Sequence, residues 1–258
     1  MEVKTFAGGL MALDRDENCL GKLYGTLTSS RHFVGTNLEI FSDGEKEEVA
    51  VSLFEEVKKR HPNVLVHFMS WKKEESKEYE ALLPTLGYKI LYEKKYFFKD
   101  IVNYKSPYCD LFEYEQLNKL DLDILLNILE DIRVKDPTED LQIPVSEAYA
   151  ELIENYRQPY ATAWKVATTD KQIVGIILPD IFSDEPKKGT LGYIGVTSSF
   201  RQKGWAKILH AKGLEEITKL GATKYWGSTH VENIAMAKVF ESNGCTLAGI
   251  RRHWSNHG

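Results

Sequence analysis

The sequence predicts a mixed α/β fold laid down twice along the chain. Three observations lead there: an antiparallel strand meander in the second half, a helix–strand–helix–strand series after it, and the same element order in the first half. In the meander, YATAWKVATTD (160–170) alternates small or apolar residues with polar ones and ends in a turn-like Thr-Asp-Lys. QIVGIILPDIF is an apolar run of strand length, SDEPKKG a charged loop, and TLGYIGV a further strand. From Ala206 the period changes: Ile208, Ala211, Leu214, Ile217 and Leu220 recur every three residues, with Leu209 beside them, up to Gly221. That stripe predicts an amphipathic helix. ATKYWGST follows as a strand, Asn233–Ser242 as a short helix ending at Asn243-Gly244, and TLAGIRRHW as a closing strand. Two helices are expected upstream, over 116–134 and 145–156.

The composition bounds the function. The chain has 258 residues, 33 Lys and Arg against 38 Asp and Glu, and a net charge of −5. That length allows one large domain or two small ones. The acid excess argues against a broad nucleic-acid surface, and Arg251-Arg252-His253-Trp254 is a single basic-aromatic cluster. Cys19, Cys109 and Cys245 are odd in number and lack CxxC spacing, so neither a disulfide scaffold nor a metal site is expected. The N-terminus lacks a basic flank with an apolar core, and no stretch approaches a membrane span, so a cytoplasmic protein is expected.

Chemistry concentrates at the junction Val196-Thr-Ser-Ser-Phe-Arg201-Gln202-Lys203-Gly204-Trp205-Ala206. Gly204 and Ala206 are small at the first turn of a helix, where free N–H groups and the helix dipole favour a phosphate. Arg201 and Lys203 add cations. The alternative is an ordinary helix start behind a basic loop.

This segment resembles motif A of the GCN5-related N-acetyltransferases, Gln/Arg-x-x-Gly-x-Gly/Ala, with an aliphatic residue, here Val196, five positions upstream. A second family element, Asn-x-x-(Ala/Met) followed by an aromatic and Gly, is matched by Asn233, Met236, Phe240 and Gly244. The resemblance covers roughly residues 107–258. It implies the family's mixed, mostly antiparallel central sheet flanked by helices, and acetyl-CoA as cofactor, released as CoA. It further implies that the backbone of Ile194, Gly195 and Val196 binds pantetheine beside a strand bulge. Arg201 to Ala206 would hold the diphosphate, and Asn233 would contact the pantetheine arm; as an N-cap of its helix, Asn233 has a second reading.

The departures matter as much. Phe240 stands where many members carry a Tyr that protonates the departing thiolate, and Cys245 replaces a common Phe. The strand Leu191–Val196 has no carboxylate to act as a base. His230 is the preferred base candidate, by its ordinary pKa, with a surface-loop histidine as the alternative. Tyr193 and Glu232 are the further catalytic candidates, while Asp180 and Asp184 fit a solvated hairpin.

The first half repeats the pattern. FSDGEKEEVAVSL (41–53) lies over Val196–Ile208 without a gap, putting Lys46 on Arg201, and ALLPTLGYKILYEKKYFF resembles VFESNGCTLAGIRRHW, putting Gly87 on Gly244. Between them lie a helix (Val49, Leu53, Val57) and the strand NVLVHFMSW. Val49 and Val51 stand where Gly204 and Ala206 do, and Glu45, Glu47 and Glu48 surround them. Residues 1–102 are therefore expected to be a degenerate copy without cofactor binding, 103–109 a linker, and 110–258 the acetyltransferase domain; an unrelated α/β domain is the alternative for the first half. The copy would shape the acceptor cleft or replace the second subunit of a homodimer. The function expected is transfer of an acetyl group to a primary amine, with a small-molecule acceptor favoured. The alternative is a non-catalytic CoA-binding sensor.

Overall fold

The computed structural model describes residues 1–27, 32–42, 44–61, 65–73, 77–108, 111–134, 136 and 141–255. Its first series is β1 (Glu2–Phe6), β2 (Gly9–Leu13), β3 (Cys19–Leu27), β4 (His32–Ile40), α1 (Lys46–Arg60), β5 (Leu65–Trp71), α2 (Lys77–Leu82) and β6 (Lys89–Asp100). The second is β7 (Glu113–Gln116), α3 (Leu122–Arg133), α4 (Val145–Ala148), α5 (Ala150–Asn155), β8 (Lys165–Thr169), β9 (Gln172–Ile181) and β10 (Lys188–Val196). It continues with α6 (Trp205–Lys219), β11 (Lys224–His230), α7 (Ile234–Ser242) and β12 (Thr246–Ser255). The order β3-β4-α1-β5-α2-β6 thus recurs as β9-β10-α6-β11-α7-β12.

Two compact units form, Met1–Lys94 with Gly249–Gly258, and Lys95–Ala248. The division falls elsewhere than the boundary expected at 103–109, because strand pairing rather than loop composition decides it. β12 pairs antiparallel with β5, from Arg251 opposite Trp71 to Ser255 opposite His67, and so completes the first unit. The second half of β6 and the residue after it serve the other unit: Phe97 and Ile101 are buried with Leu214, Tyr225 and Phe240. Cys109 lies outside the described residues.

In the first unit the strand order is β1-β2-β3-β4-β5-β12. α1 supplies Val49, Leu53, Phe54 and Val57 to a core with Leu23, Phe68 and Trp254. In the second unit the order is β6-β11-β10-β9-β8-β7. There α3 buries Leu125, Ile128, Leu129 and Ile132, apolar positions at helical spacing, on the sheet side.

Two elements begin later than the sequence predicts. The strand expected from residue 160 starts at Lys165, because Pro159 opens a 3-10 turn over Pro159–Ala163. The helix expected from 116 starts at Leu122. Residues Glu113–Gln116 pair with β8 instead, and a 3-10 turn covers Leu117–Lys119. The expected tight turn is present: Asp170 and Lys171 both have positive φ (47° and 62°) between the paired residues Thr169 and Gln172.

The repeat is visible in the backbone. β4 carries one extra residue, Thr36, against β3, and β10 carries one, Gly192, against β9; the sequence superposition brings these bulges within one residue of each other. Gly87 and Gly244, aligned in sequence, close the same hydrogen-bonded turn after α2 and α7, with left-handed φ of 80° and 72°. In each unit the strand after the bulge pairs in parallel with its neighbour only at its beginning. β4 meets β5 from His32 to Gly35, and β10 meets β11 at Lys188 and Gly189.

Candidate active site

A cleft of about 890 Å³ opens where β10 and β11 part. Beyond Gly189 opposite Tyr225 no pairing joins the two strands among the described residues, so the β11-facing backbone of β10 is left for another partner. The bulge at Gly192, against β9, lies at the start of this stretch. Ile194, Gly195 and Val196 line the cleft.

The cleft continues to the start of α6. Gln202 and Gly204 both adopt left-handed φ (60° and 80°), which turns the loop into a concave run of amides. The N–H groups of Gln202 to Ala206 make no hydrogen bond among the described residues. A Cβ built on Gly204 meets nothing within 4 Å, so a side chain there would stand in open space at the rim. Gln202, Gly204, Trp205, Ala206 and Lys207 line this end. Lys203 folds back: its Nζ donates to Ser199 O at 2.9 Å and lies over the Phe200 ring. Free N–H groups, a helix N-terminus and an adjacent lysine fit a diphosphate, and the unpaired strand fits an amide-bearing arm.

The predicted residues divide by place. Asn233 lines the cleft and caps α7, its side chain accepting from the Met236 N–H at 3.0 Å. Tyr193 and Glu232 line the cleft as well. His230 is at the end of β11, and its Nδ1 accepts the Glu232 N–H at 3.2 Å. That bond occupies a ring lone pair a general base would use, and His230 is not among the residues lining the cleft.

Phe240 is 2% exposed and faces the core, stacked on Phe97 with ring centroids 4.7 Å apart. Behind it runs a polar chain that sequence reasoning missed. Asn243 Nδ2 donates to Lys207 O (2.9 Å) and to His210 Nδ1 (3.0 Å), which leaves His210 Nε2–H for the Tyr225 hydroxyl at 3.2 Å. His210 is fully buried, and burial, with Lys99 adding to it, pushes its pKa down to about 3. Through Asn243 the end of α7 is tied to Lys207 and to this neutral imidazole in the first two turns of α6. The periodicity signalled a buried position at 210 without signalling a polar one. Cys245 is buried, and its thiol is pushed up to about 12, so it packs rather than reacts. Tyr149 is the other residue missed: its hydroxyl lies 3.0 Å from that of Tyr193.

In the first unit the corresponding junction differs. α1 begins at Lys46, so the residues aligned with Arg201–Gly204 are already helical, and the Val49 N–H is taken by Glu45 O at 2.9 Å. Glu47 and Glu48 occupy the first turn, and a depression of about 470 Å³ there is lined by these carboxylates with Glu45, Lys46, Gly44 and Val51. An anion there would meet carboxylates.

A splayed parallel strand pair with a bulge leads here to a helix whose first turn is an open amide nest, an arrangement of the acetyltransferase fold type. The family model for the acetyltransferase (GNAT) family matches residues 126–245, and this segment of the chain belongs to that family. The chain is similar to the structure of a GCN5-related N-acetyltransferase from Sphaerobacter thermophilus, with a TM-score of 0.66 and 13% identity over 96% of this chain and 79% of that one. A GCN5-related N-acetyltransferase from Kribbella flavida gives 0.62 at 12% identity, covering 99% of this chain and 90% of that one. A tandem GNAT protein from the clavulanic acid biosynthesis pathway gives 0.59 at 10% identity, covering 95% and 82%. These likenesses extend over both units and establish the fold, including a GNAT-like N-terminal part. No curated protein matches the chain. No helix among the described residues is long and apolar enough to cross a membrane, and none of their His, Cys, Asp and Glu side chains cluster to hold a metal ion.

Proposed function

We propose that the chain is an acetyl-CoA-dependent N-acetyltransferase acting on a primary amine, with a small cationic molecule as the favoured acceptor. The observation that carries this reading is the continuity of the unpaired β10 backbone with the amide nest of α6 in one cleft. Acetyl-CoA, when bound, supplies an activated thioester. The amides of Gln202 to Ala206 hold its diphosphate, the β10 backbone from Ile194 to Val196 aligns the arm, and Asn233 borders it. A β10 N–H beside the acetyl oxygen stabilises the charge that develops there. The chain's main contribution is to place the amine against the acetyl carbon, with no covalent enzyme intermediate. Of the three catalytic candidates, Tyr193 is favoured: it faces the cleft and its hydroxyl is oriented by Tyr149, so the pair can move a proton at the reacting nitrogen or sulfur.

The buried Phe240 favours a second reading, a CoA sensor without turnover, since no tyrosine occupies the place from which family members protonate the leaving group. The deciding experiment follows free thiol release from acetyl-CoA over a panel of amines, with thermal unfolding of the same protein alongside. Thiol release that depends on the amine establishes the transferase. Stabilisation by acetyl-CoA without release selects the sensor. Neither effect removes both.

A further inference from the structure

Arg201 lines the cleft, and two of its three guanidinium nitrogens are held by backbone carbonyls. Arg201 Nε donates to Val196 O at 3.2 Å, and Nη2 donates to Asp131 O at 3.5 Å and, in a closer contact, to Ile132 O. Asp131 and Ile132 belong to the last turn of α3, whose carbonyls have no acceptor role left within the helix, and a cation there suits the helix dipole. The bonding is reciprocal. The Asp131 carboxylate accepts the Ser198 N–H at 2.6 Å and the Ser198 Oγ–H at 2.6 Å. Ser198 opens the 3-10 turn that delivers the chain to the amide nest.

The two segments are also packed tightly. A Cβ on Gly195 would stand 2.5 Å from Ile132 Cγ2, so glycine at 195 lets the end of α3 sit directly on the cofactor strand. Ile132 and Asp136 then continue as part of the cleft wall. The end of α3 and the loop before α6 are held as one piece by side chains about seventy residues apart.

We infer that Arg201 and Asp131 are positioning residues: together they clasp α3 to the β10–α6 loop, and Arg201 acts through the geometry of the amide nest rather than as a charge on the diphosphate. The inference rests on the reading of the cleft as a CoA site. It assigns Asp131 a role that electrostatics alone would reverse. A carboxylate near an anion site repels the anion, so its removal would tighten CoA binding; as half of a clasp, its removal weakens it.

The test is calorimetric titration of the full chain with CoA, for wild type and for Asp131→Ala, Ser198→Ala, Arg201→Lys and Arg201→Ala. Arg201→Lys keeps the charge but cannot span three carbonyls. Asp131→Ala is expected to raise the Kd about tenfold. Arg201→Lys should lose as much as Arg201→Ala, and Asp131→Ala/Arg201→Lys no more than either change alone, since both release one clasp. Ser198→Ala, which keeps the N–H bond, should lose less. The slope of affinity against salt should be the same in wild type and Arg201→Ala. Thermal unfolding without ligand checks that each variant is folded, and the milder Ser198→Ala keeps the test alive if Asp131→Ala is not. Tighter or unchanged binding by folded Asp131→Ala, wild-type binding by Arg201→Lys, or additive losses overturn the clasp while leaving the CoA site. A wild type that takes up no CoA overturns both.

Discussion

The hydroxyl oxygens of Tyr149 and Tyr193 lie 3.0 Å apart, with their rings edge to face at 85°. One hydroxyl donates to the other, so the acceptor has its own proton directed elsewhere. Tyr193 sits on β10 and lines the cleft, and Tyr149 behind it is 8% exposed. Replacing Tyr193 by Phe is expected to lower kcat on the order of a hundredfold while leaving the Kd for CoA near wild type. Tyr149→Phe should cost less. A kcat for Tyr193→Phe equal to wild type would leave proton transfer to water.

Gly204→Glu should abolish acetyl-CoA binding without unfolding the chain. The side chain enters open space at φ 80°, a conformation costing about 1–2 kcal/mol for a non-glycine residue. Its carboxylate then meets the bound diphosphate. Wild type at acetyl-CoA a hundred times its Kd should gain about 2.7 kcal/mol of stability, and the variant none. A thermal shift assay measures both.

His210 makes stability depend on pH. Its folded pKa, about 3, lies below its ordinary value of 6.5 because burial disfavours the imidazolium. The unfolded chain therefore binds a proton the folded chain refuses between those values. The contribution of neutral His210 is complete above pH 6.5 and is lost as pH falls toward 3, at about 1.4 kcal/mol per pH unit. His253, pushed down to about 4 mainly by burial, acts in the same direction from pH 6.5 to 4. Urea unfolding of wild type and His210→Gln across pH 4–7 should show a shallower slope in the variant. Parallel curves would mean that the imidazole is charged in the fold.

Arg252 on β12 bonds the carboxylates of Glu80 and Glu93, the latter at 2.9 Å, and Glu80 is only 7% exposed. Ser70 hydrogen-bonds Glu80 from the other side and accepts the Trp254 indole N–H at 2.9 Å. Arg252→Ala leaves a buried carboxylate without its cation and should destabilise by about 3–5 kcal/mol. Adding Glu80→Gln should recover much of that loss, because the buried charge is removed with its partner. Denaturant midpoints of the single and double variants decide it.

The sequence makes the regular parts of the second unit legible. The three-residue stripe from Ile208 to Leu220 and the Asn233–Gly244 segment locate α6 and α7 within a residue or two. Gly204 and Ala206 mark the nest because few other residues leave amides accessible. What stays hidden is long-range. Glu113–Gln116 is only four residues long, too short for its alternation to mark a strand, and its place as β7 is set by pairing with β8. The sequence shows Arg201 as a cation at an anion loop; that its nitrogens reach α3 depends on Asp131 and Ile132, which only folding brings near. Likewise, the alternation in TLAGIRRHW predicts a strand but says nothing about its partner, and β5 takes it across nearly the whole chain.

That last pairing carries a consequence for synthesis. During translation the N-terminal unit emerges first, with β5 made long before β12. Until Arg251–Ser255 leave the ribosome, β5 lacks its antiparallel neighbour and Glu80 its arginine. A nascent chain halted before β12 would expose an unsatisfied strand edge, a template for aggregation. The first unit therefore cannot finish folding until the last strand of the chain has been made.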